Sequence, residues 1–268
     1  MGRIGERFAA LRGRGERALV PFLTAGDPDL GTTEALVLAA AEAGADAIEL
    51  GIPFSDPIGD GPVIQRASER ALRSGTSLRR VLELVKTVRP KLEVPLVLMG
   101  YANTIYAMGE QGFAEAAQAV GVDGLIVVDL PPEEGRSLFQ SLERRGVDVV
   151  LLAAPTTRPD RLEMLARQTR GFLYCVSRTG VTGARRALAR GIEEMVRQVR
   201  RASDVPVCVG FGVSEPEHAR QLGAFADGVV VGSALIDRIE AAGSPSCAIA
   251  AAAEFVAELK APLRPEPT

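Results

Sequence analysis

A chain of 268 residues, 47% of them hydrophobic, carries enough apolar side chain for one extensive core. A formal charge of −3, three tyrosines and no tryptophan offer nucleic acid neither attraction nor a stacking surface. The N-terminus is charged throughout, no run is apolar enough to span a bilayer, and Cys175, Cys208 and Cys247 are spaced neither as a disulfide framework nor as a metal site. The expectation is therefore a cytoplasmic protein that binds neither membrane nor nucleic acid.

Ile4, Phe8 and Leu11 recur at helical spacing and predict a helix over 4–14, placed under whatever sheet follows. Residues 18–23, ALVPFL, predict the first strand, which runs into the turn-rich TAGDP, and 29–43 a helix. The alternation then repeats. Strand 47–50 precedes helices 63–74 and 78–88, strand 95–99 precedes helix 112–120, and strand 125–128 precedes helix 132–145. Strand 149–152 is followed by helix 158–168, strand 172–176 by helix 192–201, strand 207–210 by helix 215–222, and strand 228–231 by helix 234–241. An Ala-rich helix over 248–259 closes the chain, with 260–268 as a frayed tail.

About eight strand–helix units in this length predict an α/β fold, a (β/α)8 TIM barrel over 1–268 as a single domain. It has an extra N-terminal helix and additional helices in the strand 2 and strand 8 units. An open doubly wound sheet is the alternative. Against it, no G-x-G-x-x-G follows the first strand and no shift of composition divides the chain.

The most informative stretch is 47–61, AIELGIPFSDPIGDG. Alternation in a strand sends Ile48 and Leu50 to one face and Ala47 and Glu49 to the other, so Glu49 points into a closed interior or its mouth. Glycines and prolines then forbid a regular element, and the loop carries a second carboxylate, Asp60. Burial raises a carboxyl's pKa toward a range useful for acid–base chemistry. The plainer alternative makes Glu49 an ion-pair partner and Asp60 a turn former.

Loops after the later strands are rich in glycine where backbone amides would approach an anion: 177–184 (SRTGVTGA), 210–214 (GFGVS) and 231–234 (VGSA). The last two follow strands seven and eight, where barrels commonly hold phosphate. The longer run 177–191 reads as a lid, with Gly180, Gly183 and Gly191 as hinge points. A lone histidine, His218, excludes a histidine triad or a histidine-rich metal site and is expected at the surface; no metal is expected. Lys86, Lys91 and Lys260 lie at no strand end, which disfavours a Schiff-base aldolase.

The run IELGIPFSDPIGDG resembles, residue for residue, the signature of the tryptophan synthase alpha subunit family, the indole-3-glycerol-phosphate lyases. Ile58-Gly59, where Leu-Ala is common, is the departure. PFLTAGDP (21–28), YAN (101–103), DLPPEE (129–134), SRTGVTG (177–183) and GFGVS (210–214) carry the resemblance across most of the chain. It implies Glu49 and Asp60 as the catalytic pair, Tyr174 beside the glycerol chain, and Thr182 ordering Asp60 on lid closure. Gly183, Gly212, Gly232 and Ser233 would line the phosphate, and Phe22, Met99 and Phe211 the indole slot. Asp56, Tyr101, Asn103, Asp129 and Pro131 would form the rim that meets a beta subunit in an α2β2 heterotetramer. It further implies cleavage of indole-3-glycerol phosphate to indole and glyceraldehyde 3-phosphate, the indole passing to the beta subunit in the last stage of tryptophan biosynthesis, with no cofactor in this chain and pyridoxal phosphate (PLP) only in the beta subunit. A binding and allosteric module with weak intrinsic activity, and a barrel sugar-phosphate isomerase, are the alternatives; the first fits the intact carboxylates poorly, the second the 47–61 run.

Overall fold

In the computed structural model, residues 2–176, 184–210 and 212–265 are described, 184–190 by their backbone alone. Helix α1 (Arg3–Gly13) precedes β1 (Ala18–Thr24), and α2 (Leu30–Glu42) leads to β2 (Ile48–Gly51). Helices α3 (Pro62–Arg73) and α4 (Leu78–Val88) connect to β3 (Leu96–Gly100), and α5 (Ala102–Tyr106) and α6 (Glu110–Val120) to β4 (Gly124–Val127). Then come α7 (Arg136–Glu143), β5 (Asp148–Val149), β6 (Leu151–Ala153), α8 (Pro159–Gln168), β7 (Leu173–Val176) and α9 (Ala184–Ala202). Finally β8 (Val207–Gly210), α10 (Pro216–Gly223), β9 (Gly228–Val231), α11 (Ser233–Ala241) and α12 (Pro245–Lys260) complete the order.

All sheet pairings are parallel, in the order β5-β4-β3-β2-β1-β9-β8-β7-β6. β5 bonds to β4 and β6 to β7, while the two are one strand interrupted at Val150; the ring closes through that residue. This is the expected TIM barrel. Its strands are buried on both faces because helices cover the outside, and two apolar clusters result. Ile48 and Leu50 pack under the helices, whereas Ala18, Val20, Ala47, Val97, Ile126, Val150, Phe172 and Tyr174 fill the ring. Ile4, Phe8 and Leu11 of α1 plug the bottom of that inner cluster, as the helical spacing predicted.

Four expectations need correction. The stretch 102–106 forms α5, too short to show a helical period, its first amide accepted by Asp129 Oδ1 at 2.8 Å. α7 starts at Arg136, because 131–135 close a turn in which the Gly135 amide donates to the Pro131 carbonyl at 2.9 Å. α9 begins at Ala184, so the second half of the presumed lid is helix. The segment from 260 is not frayed over its first residues: Lys260 and Leu263 are buried, and 261–263 form a 3-10 turn. Residues 266–268 lie outside the described residues.

What pins that C-terminal segment is a buried charge. Asp46, ahead of β2, accepts from the Leu19 amide, from Arg7 and from Lys260 Nζ, each at 2.8 Å. Lys260 also donates to the Arg17 carbonyl at 3.0 Å. Removing one partner of a buried pair leaves the other desolvated and uncompensated. Lys260→Met is expected to lower unfolding free energy by about 3 kcal/mol, read from urea denaturation at neutral pH; a loss under about 1 kcal/mol would mean that Arg7 and the Leu19 amide suffice for Asp46.

Candidate active site

Glu49 occupies the position that alternation dictates, inside the ring near its upper end, in register with Phe22 of β1 and Val97 of β3. It is 1% exposed, and its Oε2 has no hydrogen-bond partner among the described residues. Burial, then the nearby Asp60 charge, pushes its pKa up to about 8. Asp60 hangs over the mouth on the loop after β2. That loop folds back through bonds from the Asp60 amide to the Pro57 carbonyl at 2.9 Å and from Gln65 Nε2 to the Asp60 carbonyl at 3.0 Å. Its carboxylate Oδ2 accepts from the Tyr101 hydroxyl at 3.0 Å.

Both carboxylates line one cavity of about 770 Å³ at the C-terminal ends of the strands. Phe22, Met99 and Tyr174 supply its apolar and aromatic wall, and Gly212, Gly232 and Ser233 its far end. Two strand-end glycines make the aromatic wall possible. A Cβ on Gly51 would lie 2.5 Å from the Phe22 ring, and one on Gly210 would lie 2.4 Å from the Tyr174 hydroxyl. Burial and the neighbouring Glu49 raise the Tyr174 phenol well above its usual range, so it remains a neutral donor.

At the far end α11 opens directly from Gly232, whose carbonyl accepts the Leu235 and Ile236 amides at 2.9 and 3.1 Å, so the amides at the tip of the helix are those of Ser233 and Ala234. With the helix dipole behind them, amides so placed suit an anion. Asp237, one turn further, also lines the cavity but is drawn toward Arg66 at 3.5 Å. Arg66 and Arg70 of α3 both bind Glu240 of α11, at 2.9 and 2.5 Å, and Arg70 grips buried Asp27 at 2.7 and 2.8 Å. These ion pairs join the helix that follows Asp60 to the helix that heads the anion end.

The model of the family described as "Tryptophan synthase alpha chain" matches residues 8–264. The chain belongs to the tryptophan synthase alpha chain family. A tryptophan synthase alpha chain of Geobacter sp. (strain M21) is 55% identical over 240 residues, 90% of each chain. One of Thermoanaerobacter sp. (strain X514) is 44% identical over 260 residues, 97% of this chain and 99% of that one. Among solved structures, the tryptophan synthase subunit alpha of Legionella pneumophila str. Paris superposes with a TM-score of 0.88 at 38% identity, covering 98% of both chains. A structure of tryptophan synthase from M. tuberculosis in an aminoacrylate-bound form matches with a TM-score of 0.88 at 34% identity, over 98% of this chain and all of that one.

Of the residues that resemblance to the alpha chains singles out, Phe22, Glu49, Asp60, Met99, Tyr174, Gly212, Gly232 and Ser233 meet in the one cavity. Thr182, Gly183 and Phe211 lie outside the described residues, as does 177–183 of the presumed lid. Asp56 and Asn103 are exposed, Asp129 caps α5, and Pro131 is half-buried; Asn103 lies in α5 and the others on the loops after β2 and β4. Tyr101 differs from that rim in being buried, with its hydroxyl turned to Asp60. His218 is half-buried rather than solvated; its Nδ1 accepts the Ser214 amide at 3.4 Å. Sequence reasoning missed Val230, which the two-residue alternation from Gly228 could have placed in the wall, and Asp237, one helical turn beyond Ser233. Among the described residues no cluster of three or more His, Cys, Asp or Glu could hold a metal ion.

The Glu49 shift fixes a pH dependence. Its folded pKa of about 8 lies above the ordinary 4.5, so the folded state holds the proton more tightly. That contribution is fully present below about pH 4.5 and is lost as pH rises through about 8. Glu49→Gln, which cannot ionise, should be more stable than the parent by about a few kcal/mol at pH 8.5 and near parity at pH 4.5. Equal denaturant midpoints at both pH values would show that Glu49 is not desolvated.

Proposed function

We propose that the chain cleaves indole-3-glycerol phosphate to indole and glyceraldehyde 3-phosphate, as a carbon–carbon lyase with Glu49 and Asp60 as its catalytic groups. The observation that carries this reading is the pair of differently placed carboxyls on one cavity: Glu49 dry and protonated at neutral pH, Asp60 at the mouth. Glu49 delivers its proton to indole C3, which turns the ring into an electron sink. The resulting carboxylate takes the proton of the adjacent glycerol hydroxyl; the aldehyde forms, the C3–carbon bond breaks, and its electron pair restores the indole ring. Protons balance, and Glu49 returns to its starting state. Asp60 accepts from the indole N–H and stabilises the positive charge that develops there.

Phe22, Met99 and Tyr174 offer the apolar wall that a flat bicyclic ring needs, and the α11 end offers amides to the phosphate. Holding the phosphate converts remote binding energy into orientation at the reacting bond. Thr182, Gly183 and Phe211 are assigned to the same site by resemblance. Indole is apolar and escapes readily, which favours a partner that consumes it. We assign that role to a PLP-dependent beta subunit in an α2β2 heterotetramer, docking on the rim around Asp56, Asn103, Asp129 and Pro131, with no cofactor in this chain. No helix among the described residues is long and apolar enough to cross a membrane, and the three cysteines are free thiols, which suits a reducing cytoplasm.

Indole release from indole-3-glycerol phosphate, by the purified chain alone and with a beta subunit, is the test. Cleavage should be faster in the complex, and Glu49→Gln and Asp60→Asn should each lower kcat by about 10²–10⁴-fold. No indole under either condition would end this reading; near-parental Glu49→Gln would end the role given to Glu49.

A further inference from the structure

Tyr101 follows β3, is 4% exposed, and stacks on Phe54 with ring centroids 5.0 Å apart at 26°. Its hydroxyl makes two bonds at once: it accepts from the Gly59 amide at 2.9 Å and donates to Asp60 Oδ2 at 3.0 Å. A phenol carries one proton, so an amide donor on its lone pair commits that proton to the carboxylate. Burial and the Asp60 charge raise the phenol well above its ordinary range, which keeps it a donor wherever Asp60 is ionised. In this chain the arrangement closes directly over the bare Cα of Gly59. A Cβ there would lie 2.7 Å from the Tyr101 hydroxyl and 2.9 Å from Val128 Cγ1, closer than real carbons come. The Phe54 stack limits retreat of the ring on its other side.

We infer that Gly59 and Tyr101 together form a support that orients Asp60 and favours its ionised form, Tyr101 acting as a positioning residue rather than as part of a partner-facing rim. The inference rests on the lyase reading for its catalytic consequence, but not for the pairing itself. A hydrogen bond to the charged form of a carboxyl stabilises that form, and a carboxylate aimed by a buried donor pays less to align with an indole N–H. The titratable groups that face Asp60 among the described residues include Glu49 of β2, Tyr101, and Tyr174 of β7; Asp129 acts on Tyr101 in turn.

Tyr101→Phe keeps the ring and its stack while deleting the hydroxyl. It should lower kcat for indole release by about tenfold with KM within about twofold, and move the acid limb of the kcat–pH profile up by about one unit. Gly59→Ala should act in the same direction, and the double variant should be no worse than the more damaged single, because both remove one bond chain. Carboxyl carbon NMR titration of Asp60 in parent and Tyr101→Phe reads the pairing without any turnover, and urea midpoints check that each variant folds. An unshifted Asp60 titration together with an unchanged acid limb would overturn the inference and leave Tyr101 a packing residue. A parent chain that releases no indole, yet whose Asp60 titration moves in Tyr101→Phe, would sink the lyase reading and keep the pairing.

Discussion

Water is kept from Glu49 by the closure of a ring of parallel strands, and most of what is distinctive here follows from that desolvation. An open sheet would leave the carboxyl at a solvated edge with an ordinary pKa. In this barrel α1 plugs the floor with Ile4, Phe8 and Leu11, and Phe172 and Val97 fill the level above. The carboxyl therefore sits on a packed base with one way out, upward into the cavity. Proton affinity near neutrality is a property of that geometry rather than of a nearby partner, since burial outweighs the Asp60 charge among its causes.

The two ends of the barrel use charge in opposite ways. Below, Asp46 is surrounded by Arg7, Lys260 and the Leu19 amide, and its burial fixes the last helix under the first two strands. Above, Asp27, Arg70, Glu240, Arg66 and Asp237 run along the rim, each carboxylate matched to an arginine, so one side of the mouth is braced by ion pairs. Glu49 alone of the acids named here has a buried oxygen without a partner. Among the described residues it is the one carboxyl with a buried oxygen left unpaired, so the cost of desolvating a carboxyl falls where the cavity is.

Much of this was legible in the residues. Period-two patterning put Glu49 inside and Ile48 and Leu50 outside, and the strand–helix rhythm gave the barrel, because both depend on spacing alone. Helix α5 escaped notice because five residues cannot display a period. The break at Val150 was invisible because it arises from pairing with different neighbours on the two sides, a relation between distant segments. The tail was misjudged for a similar reason: a polar, proline-containing end looks frayed until Asp46, far back in the chain, supplies a partner for Lys260. Resemblance assigned Tyr101 to the rim and could not show that its ring is buried on Phe54 with its hydroxyl against the Gly59 amide, contacts across a loop gap that spacing does not encode.

The contact of two aromatic rings with strand-end backbone bears on how the cavity could change in evolution. Phe22 lies against Gly51 and Tyr174 against Gly210, each ring resting on a neighbouring strand where a side chain would collide with it. The width of the slot is thus set by the spacing of hydrogen-bonded strands rather than by the repacking of side chains. Adaptation to a broader ligand must shorten the rings themselves, since the wall behind them is peptide and cannot recede. Drift at either glycine would narrow the slot while leaving the strand pairing intact, so a lineage could lose the ligand and keep the barrel.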